Sequence, residues 1–237
     1  MIETGYFLVA DVLGFSAMIT NTPAAQVDSR IGQWVSLVES AKARSGVARC
    51  SLFSDTVFAA ASCSVEGLSA ILSFSRELLS VGLENSFMVR GGMAHGTYTW
   101  GDLSYGRAII DAHRLERRQN WIGVSCQGAM PHAKDVWGMD RIVAHLPPMK
   151  SGPMQVQPAV AWPIPEAQEL TRLVMKSNAI RDGDLLQWEI GSQQHTSFPQ
   201  LFARHRNGKA LIRRSFTDGC RPRCWMKSFQ ANPRRRL

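Results

Sequence analysis

The chain has 237 residues, 45% hydrophobic and 19% charged, with no internal repeat or low-complexity tract, which excludes a disordered or fibrous protein. No apolar run approaches the roughly 18–20 residues of a membrane span, and the N-terminus lacks the basic, apolar, small-residue order of a secretory signal, so a cytoplasmic protein is expected. The formal charge of +8 is uneven: positions 201–237 hold 11 Lys and Arg against one acid, Asp218, leaving residues 1–200 near −2.

Residues 5–11 read as a strand. Tyr6, Phe7, Leu8, Val9 and Ala10 form an unbroken apolar run, as in a strand buried on both faces. The run nevertheless ends on Asp11, followed by Gly14 and what reads as a helix start. A buried carboxylate without a partner is costly, so either Asp11 is a solvated turn residue or a cation stands at the strand's end. From Val27, apolar residues at Val27, Ile31, Trp34, Val38 and Ala41 make the stripe of an amphipathic helix that Ser45-Gly46 ends. "VARCSLF" and "TVFAAAS" are β-rich runs on either side of Ser54-Asp55, which predicts a hairpin.

Residues 65–80 form a second helix, with Leu68, Ile71, Leu72, Phe74 and Leu78 on its apolar face. "SFMVRGGMAHG" is a further strand, interrupted by Gly91-Gly92 where another backbone or a ligand comes close; Arg90 either faces a ligand or caps the sheet, the structural reading being favoured. "GRAIIDAHRLERR" is a helix marked at its start by Gly106, and "WIGVSC" is a strand. The order β-α-ββ-α-β-α-β predicts an α+β fold with one antiparallel sheet. Beyond about residue 145 prolines cluster, a helix-like stretch runs over 166–176, and the basic tail follows. Residues 1–150 are therefore expected to form the core and 151–237 an extension.

Five scattered cysteines argue against a disulfide framework. Cys220 and Cys224, with His205 as the nearby third donor, fit free thiols better than a zinc site. The tail has the charge to bind nucleic acid or an anionic surface, but a solvated or protomer-contacting extension is the favoured reading.

Two acids stand at comparable places: Asp11 ends the first strand and Asp55 occupies the hairpin link. Two carboxylates brought together repel unless a divalent cation lies between them, and Mg²⁺ or Mn²⁺ with substrate phosphates suits such a pair. Gly14 lets the backbone turn so that the following N–H groups meet an anion at a helix start. By itself D-x-x-G-F-S is also the text of a surface turn.

"ADVLGFSAMI", "SLFSDTVFAAA", "VRGGMAHG" and "YGRAIIDAHRLE" come in the order and spacing of the class III nucleotidyl cyclase catalytic domain, which the chain resembles over about residues 6–125. The resemblance implies a ferredoxin-like core, residues 1–150 as catalytic domain, and a head-to-tail homodimer with shared active sites. It implies two Mn²⁺ or Mg²⁺ ions per site on Asp11, Asp55 and the Val12 carbonyl, with phosphates on the backbone of Leu13, Gly14, Phe15 and Ser16. The 3′-hydroxyl would attack the α-phosphate and release pyrophosphate. Arg114 is the implied transition-state cation, and Lys150 the implied phosphate-contacting lysine of the extension.

Purine-specific members read the base through a lysine and a second polar position, and they place an asparagine four residues before the helix arginine. Here Ser51, Leu103 and Ile110 stand in those places. A site that specifies a base relies on hydrogen bonds, so an ordinary adenylate or guanylate cyclase is not expected. The helix text resembles the bacterial pyrimidine cyclases of the Pycsar antiphage system. That implies cyclic UMP, or alternatively cyclic CMP, made for a separate effector, with Ser51 and Phe53 beside the base. The competing expectation is a nucleotide-binding module without turnover.

Overall fold

The computed structural model describes residues 1–137, 142–145, 147, 149–150 and 156–162. The chain runs β1 (Ile2–Val12), α1 (Phe15–Asn21), α2 (Ala24–Ser45), β2 (Arg49–Phe53), β3 (Thr56–Ser62) and α3 (Val65–Glu84). It continues through β4 (Val89–Thr99), β5 (Tyr105–Gly106), α4 (Arg107–Arg118), β6 (Gly123–Cys126), α5 (Ala133–Trp137), β7 (Ile142–His145) and β8 (Gln157–Val160).

From Tyr6 to Ala10 β1 is apolar without interruption because it is covered on both sides. Side chains alternate across a sheet. Tyr6, Leu8, Ala10 and Val12 enter one core with Trp34 and Val38 of α2 and Ile71 and Leu78 of α3. Phe7 and Val9 enter a second core with Ala108 and Ala112 of α4. Asp11 continues the second series, so it lies on the α4 face of the sheet.

The sheet order is β2-β3-β1-β4-β6-β8-β7, with β5 paired to β4. Its first four strands, with α2 and α3 between them, are the ferredoxin-like arrangement expected of the α+β core. One pair departs from the antiparallel sheet expected: β4 and β6 run parallel, Arg90 opposite Gly123 through Met93 opposite Cys126. The reason is α4, a helical crossover between them that returns the chain to the same end of the sheet. β8 lies beyond residue 150 and still pairs into this sheet, with both β6 and β7. The helix expected over 166–176, the Cys220/Cys224 pair and the basic tail lie outside the described residues.

Gly92 sets how closely α4 approaches. A Cβ there would sit 2.2 Å from the Ala112 carbonyl oxygen and 2.6 Å from the Glu116 nitrogen. The close approach read from Gly91-Gly92 is thus, at Gly92, the backbone of α4.

Candidate functional site

Antiparallel pairing of β1 with β4 sets Asp11 opposite Arg90. Arg90 Nη2 donates to Asp11 Oδ2 at 2.7 Å. The same nitrogen is ion-paired with Oε1 of Glu116, which the close seat of α4 brings over the strand. Arg90 and Glu116 are both buried. A cation therefore does stand at the strand's end, and it is a guanidinium. The other Asp11 oxygen, Oδ1, is buried and has no hydrogen-bond partner among the described residues.

Asp55 sits in the two-residue turn between β2 and β3, half-buried. Ser54 takes φ 58° and Asp55 does not take a positive φ, the sign pattern of a type II′ hairpin turn. Burial pushes the Asp55 carboxyl above the ordinary carboxylate range, and the Asp11 charge adds to it. Its own backbone N–H, the Ser54 hydroxyl and Arg90 act in the opposite direction. The two carboxylates thus feel each other's charge. Two such groups, one with a desolvated free oxygen, fit a hard divalent cation that completes its shell with substrate oxygens. No cluster of three or more His, Cys, Asp and Glu suited to a metal occurs among the described residues.

Gly14 caps α1 at φ 74°, a left-handed conformation that disfavours a side chain. The first bond of this short helix runs from the Met18 N–H to the Gly14 carbonyl, leaving the N–H groups of Phe15 and Ser16 outside its ladder. Leu13 differs from expectation: its N–H donates to the Met88 carbonyl at 2.7 Å and is already engaged. Val12 is buried opposite Val89.

Lys150 joins the cluster from beyond α4. Its backbone N–H donates to the Arg118 carbonyl at 2.8 Å. Its ammonium pKa is lowered by partial burial first and by Arg90 next, while Glu116 and Asp11 oppose the shift. Arg114 is not brought to Asp11 within the chain; it lies exposed on α4, 3.4 Å from Asp111. Ser51 and Phe53 lie on edge strand β2, on the α4 face but beyond the cover of α4, and both are exposed. Leu103 and Ile110 are exposed apolar side chains.

Sequence reasoning passed over Glu116, and it named Arg90 without finding its partner, Asp11. The signal for Arg90 was available only once register was known, because it faces Asp11 across the β1/β4 ladder. Glu116 had a weaker signal: it is an acid one helical turn after Ala112, on the face that packs on Gly92.

No family model matches the sequence, and no curated protein matches it. Solved structures do match. A bacterial light-regulated adenylyl cyclase aligns with TM-score 0.53 and 14% identity over 75% of this chain and 99% of that one. The guanylate cyclase domain of RhGC from Catenaria anguillulae, in complex with GTP, aligns with TM-score 0.53 and 13% identity over 68% and 98%. A non-canonical dimeric guanylyl cyclase domain of the RhoGC fusion protein from the aquatic fungus Blastocladiella emersonii aligns with TM-score 0.54 and 14% identity over 68% and 98%. The chain therefore has the fold of the catalytic domains of class III nucleotide cyclases.

Proposed function

We propose that this chain is a metal-dependent nucleotide cyclase that converts a nucleoside triphosphate to its 3′,5′-cyclic monophosphate and pyrophosphate. The observation that carries this reading is the Asp11 carboxylate, with one oxygen buried and free, within electrostatic range of Asp55 on this fold. Asp11, Asp55 and the Val12 carbonyl would hold Mn²⁺ or Mg²⁺, two per active site. Such ions supply charge neutralisation on the phosphates and a lowered pKa at the attacking 3′-hydroxyl. The N–H groups of Gly14, Phe15 and Ser16 and the Lys150 ammonium are the chain's own means of orienting the phosphates. The catalytic assembly is completed in a homodimer, where Arg114 on the exposed face of α4 reaches the site of the second protomer and stabilises charge gathering on the transferred phosphorus.

The favoured substrate is UTP, the product cyclic UMP, and the role a second messenger in antiphage defence that acts on a separate effector. Support for a pyrimidine comes from Ser51 and Leu103, which supply no cationic reader and, at Leu103, no polar group, whereas Ile110 in the place of the asparagine favours the module without turnover. The preference for uridine over cytidine rests on the resemblance of the α4 text. Ser51 and Phe53 border the base position. Cytidylate cyclase is the alternative, and a nucleotide-binding module without turnover is the second. Incubation with each of the four NTPs separately plus Mn²⁺, followed by product identification, tests all three. Cyclic UMP is expected; cyclic CMP replaces the substrate, and no pyrophosphate from any NTP ends the enzyme reading.

A further inference from the structure

Two buried charged side chains, Arg90 and Glu116, stand behind Asp11 in a row. A single guanidinium nitrogen serves both carboxylates, Asp11 Oδ2 at 2.7 Å and Glu116 Oε1 on the other side. A carboxylate on a short side chain rotates freely unless one oxygen is held, and here Oδ2 is held while Oδ1 stays free. The hold is only as good as the fixing of Arg90. Its Nε has no hydrogen-bond partner among the described residues. Glu116 is its second anchor through the ion pair, and α4 is seated on Gly92 so closely that the Glu116 backbone has little room to move.

We propose that Glu116 is a positioning residue that acts through Arg90 to fix the Asp11 carboxylate, presenting Oδ1 to a divalent cation. The inference rests on the cyclase reading above and adds to it a supporting shell for the metal-ligating carboxylate. Groups that orient a ligating carboxylate typically carry 10- to 100-fold in metal affinity, roughly, when removed. Arg90 is itself a cation beside a metal ligand, so simple electrostatics gives the opposite sign: removing it strengthens cation binding.

That sign difference makes the test. Mn²⁺ binding without nucleotide is measured by electron paramagnetic resonance for the full chain, for Glu116→Gln and for the double variant Arg90→Gln/Glu116→Gln. The double variant removes the Arg90–Glu116 pair together, so only the part-exposed Asp11 carboxylate loses its guanidinium, a smaller penalty than in Arg90→Gln alone, which strands the buried Glu116 carboxylate as well. Both variants are expected to bind Mn²⁺ about 10-fold or more weakly than the unaltered chain, and raising Mn²⁺ should recover the turnover of Glu116→Gln. If charge alone mattered, the removed positive and negative charges would offset and the double variant would bind like the unaltered chain. That result overturns the proposal, as does unchanged affinity in Glu116→Gln, or a lost rate that added Mn²⁺ does not recover. Should the double variant not fold, nitrogen NMR of the Arg90 guanidinium in the unaltered chain decides. The relay keeps Arg90 hydrogen-bonded when Mg²⁺ is added; its release into free rotation sinks the idea. If the unaltered chain binds no Mn²⁺ and makes no cyclic product, the cyclase reading itself has failed; if it does both, any failure belongs to the relay.

Discussion

The Asp55 side chain is held in an unfavourable state. Asp55 is desolvated and faces the charge of Asp11, so its carboxyl is raised above the ordinary range. A raised carboxyl means that the folded chain binds the proton more tightly than the unfolded one. Stability contributed by that proton is present at low pH and is lost as pH rises from the ordinary carboxylate range through the folded value. Asp55→Asn is therefore expected to raise the melting temperature of chelator-treated protein at neutral pH while abolishing cyclisation. Thermal melts across pH 4–8 in chelator should show a smaller fall of stability with rising pH in the variant. A melting temperature lowered at pH 7 would mean that Asp55 is a structural group. Cysteines give an independent check of the burial pattern. Burial pushes Cys50 up to about 11 and Cys126 up to about 12, whereas Cys63 is exposed. Because the thiolate is the reactive form, a disulfide reagent at pH 8 should modify Cys63 well before Cys50 or Cys126, as peptide mapping would read.

At the scale of elements, the junction of α4 with β4 couples fold to site. A methyl group at position 92 meets the carbonyl oxygen of Ala112 and the nitrogen of Glu116, backbone atoms that cannot step aside without moving the helix. Gly92→Ala is expected to cost about 1–3 kcal/mol in urea unfolding and to weaken Mn²⁺ binding as Glu116 lifts from Arg90. Loss of stability with metal affinity intact would separate the two. This junction also marks the limit of what the sequence makes legible. β1, α2, the β2/β3 hairpin, α3 and α4 were readable because each carries its own periodicity or apolar run. Asp11 and Asp55 were readable because acids are conspicuous where strands end. Direction and register were not, since nothing local to Arg90 says that it faces Asp11, or that β6 lies parallel to β4. β8 was hidden by Pro158, a residue that usually argues against a strand, although here it pairs with Ala144. β5, with two residues, is too short to have a pattern.

At the scale of the molecule, one face of the sheet is only partly covered by the described residues. Among the described residues α4 lies over β1, β4 and part of β3, leaving Ser51 and Phe53 of β2 open, and Phe53 is 77% exposed. Ile110 on α4 is 50% exposed and Leu103 74%, apolar groups on or next to the helix that carries Arg114. A two-fold dimer would bury such a surface against its own copy and bring Arg114 of one protomer toward Asp11 and Asp55 of the other. Phe53→Glu with Ile110→Glu is then expected to shift the chain to monomer in sedimentation velocity and to remove activity, with the circular dichroism unchanged. Complementation tests the sharing of sites more strictly. Asp11→Asn and Arg114→Ala should each be inactive alone, because every site lacks one group. In mixed dimers one of the two sites draws both groups from intact positions. With random pairing half of the dimers are mixed, so activity should return to about a quarter of the unaltered level. No recovery from dimers shown to be mixed would mean that each site is complete within one protomer. Full activity of Arg114→Ala alone would remove that arginine from the reaction.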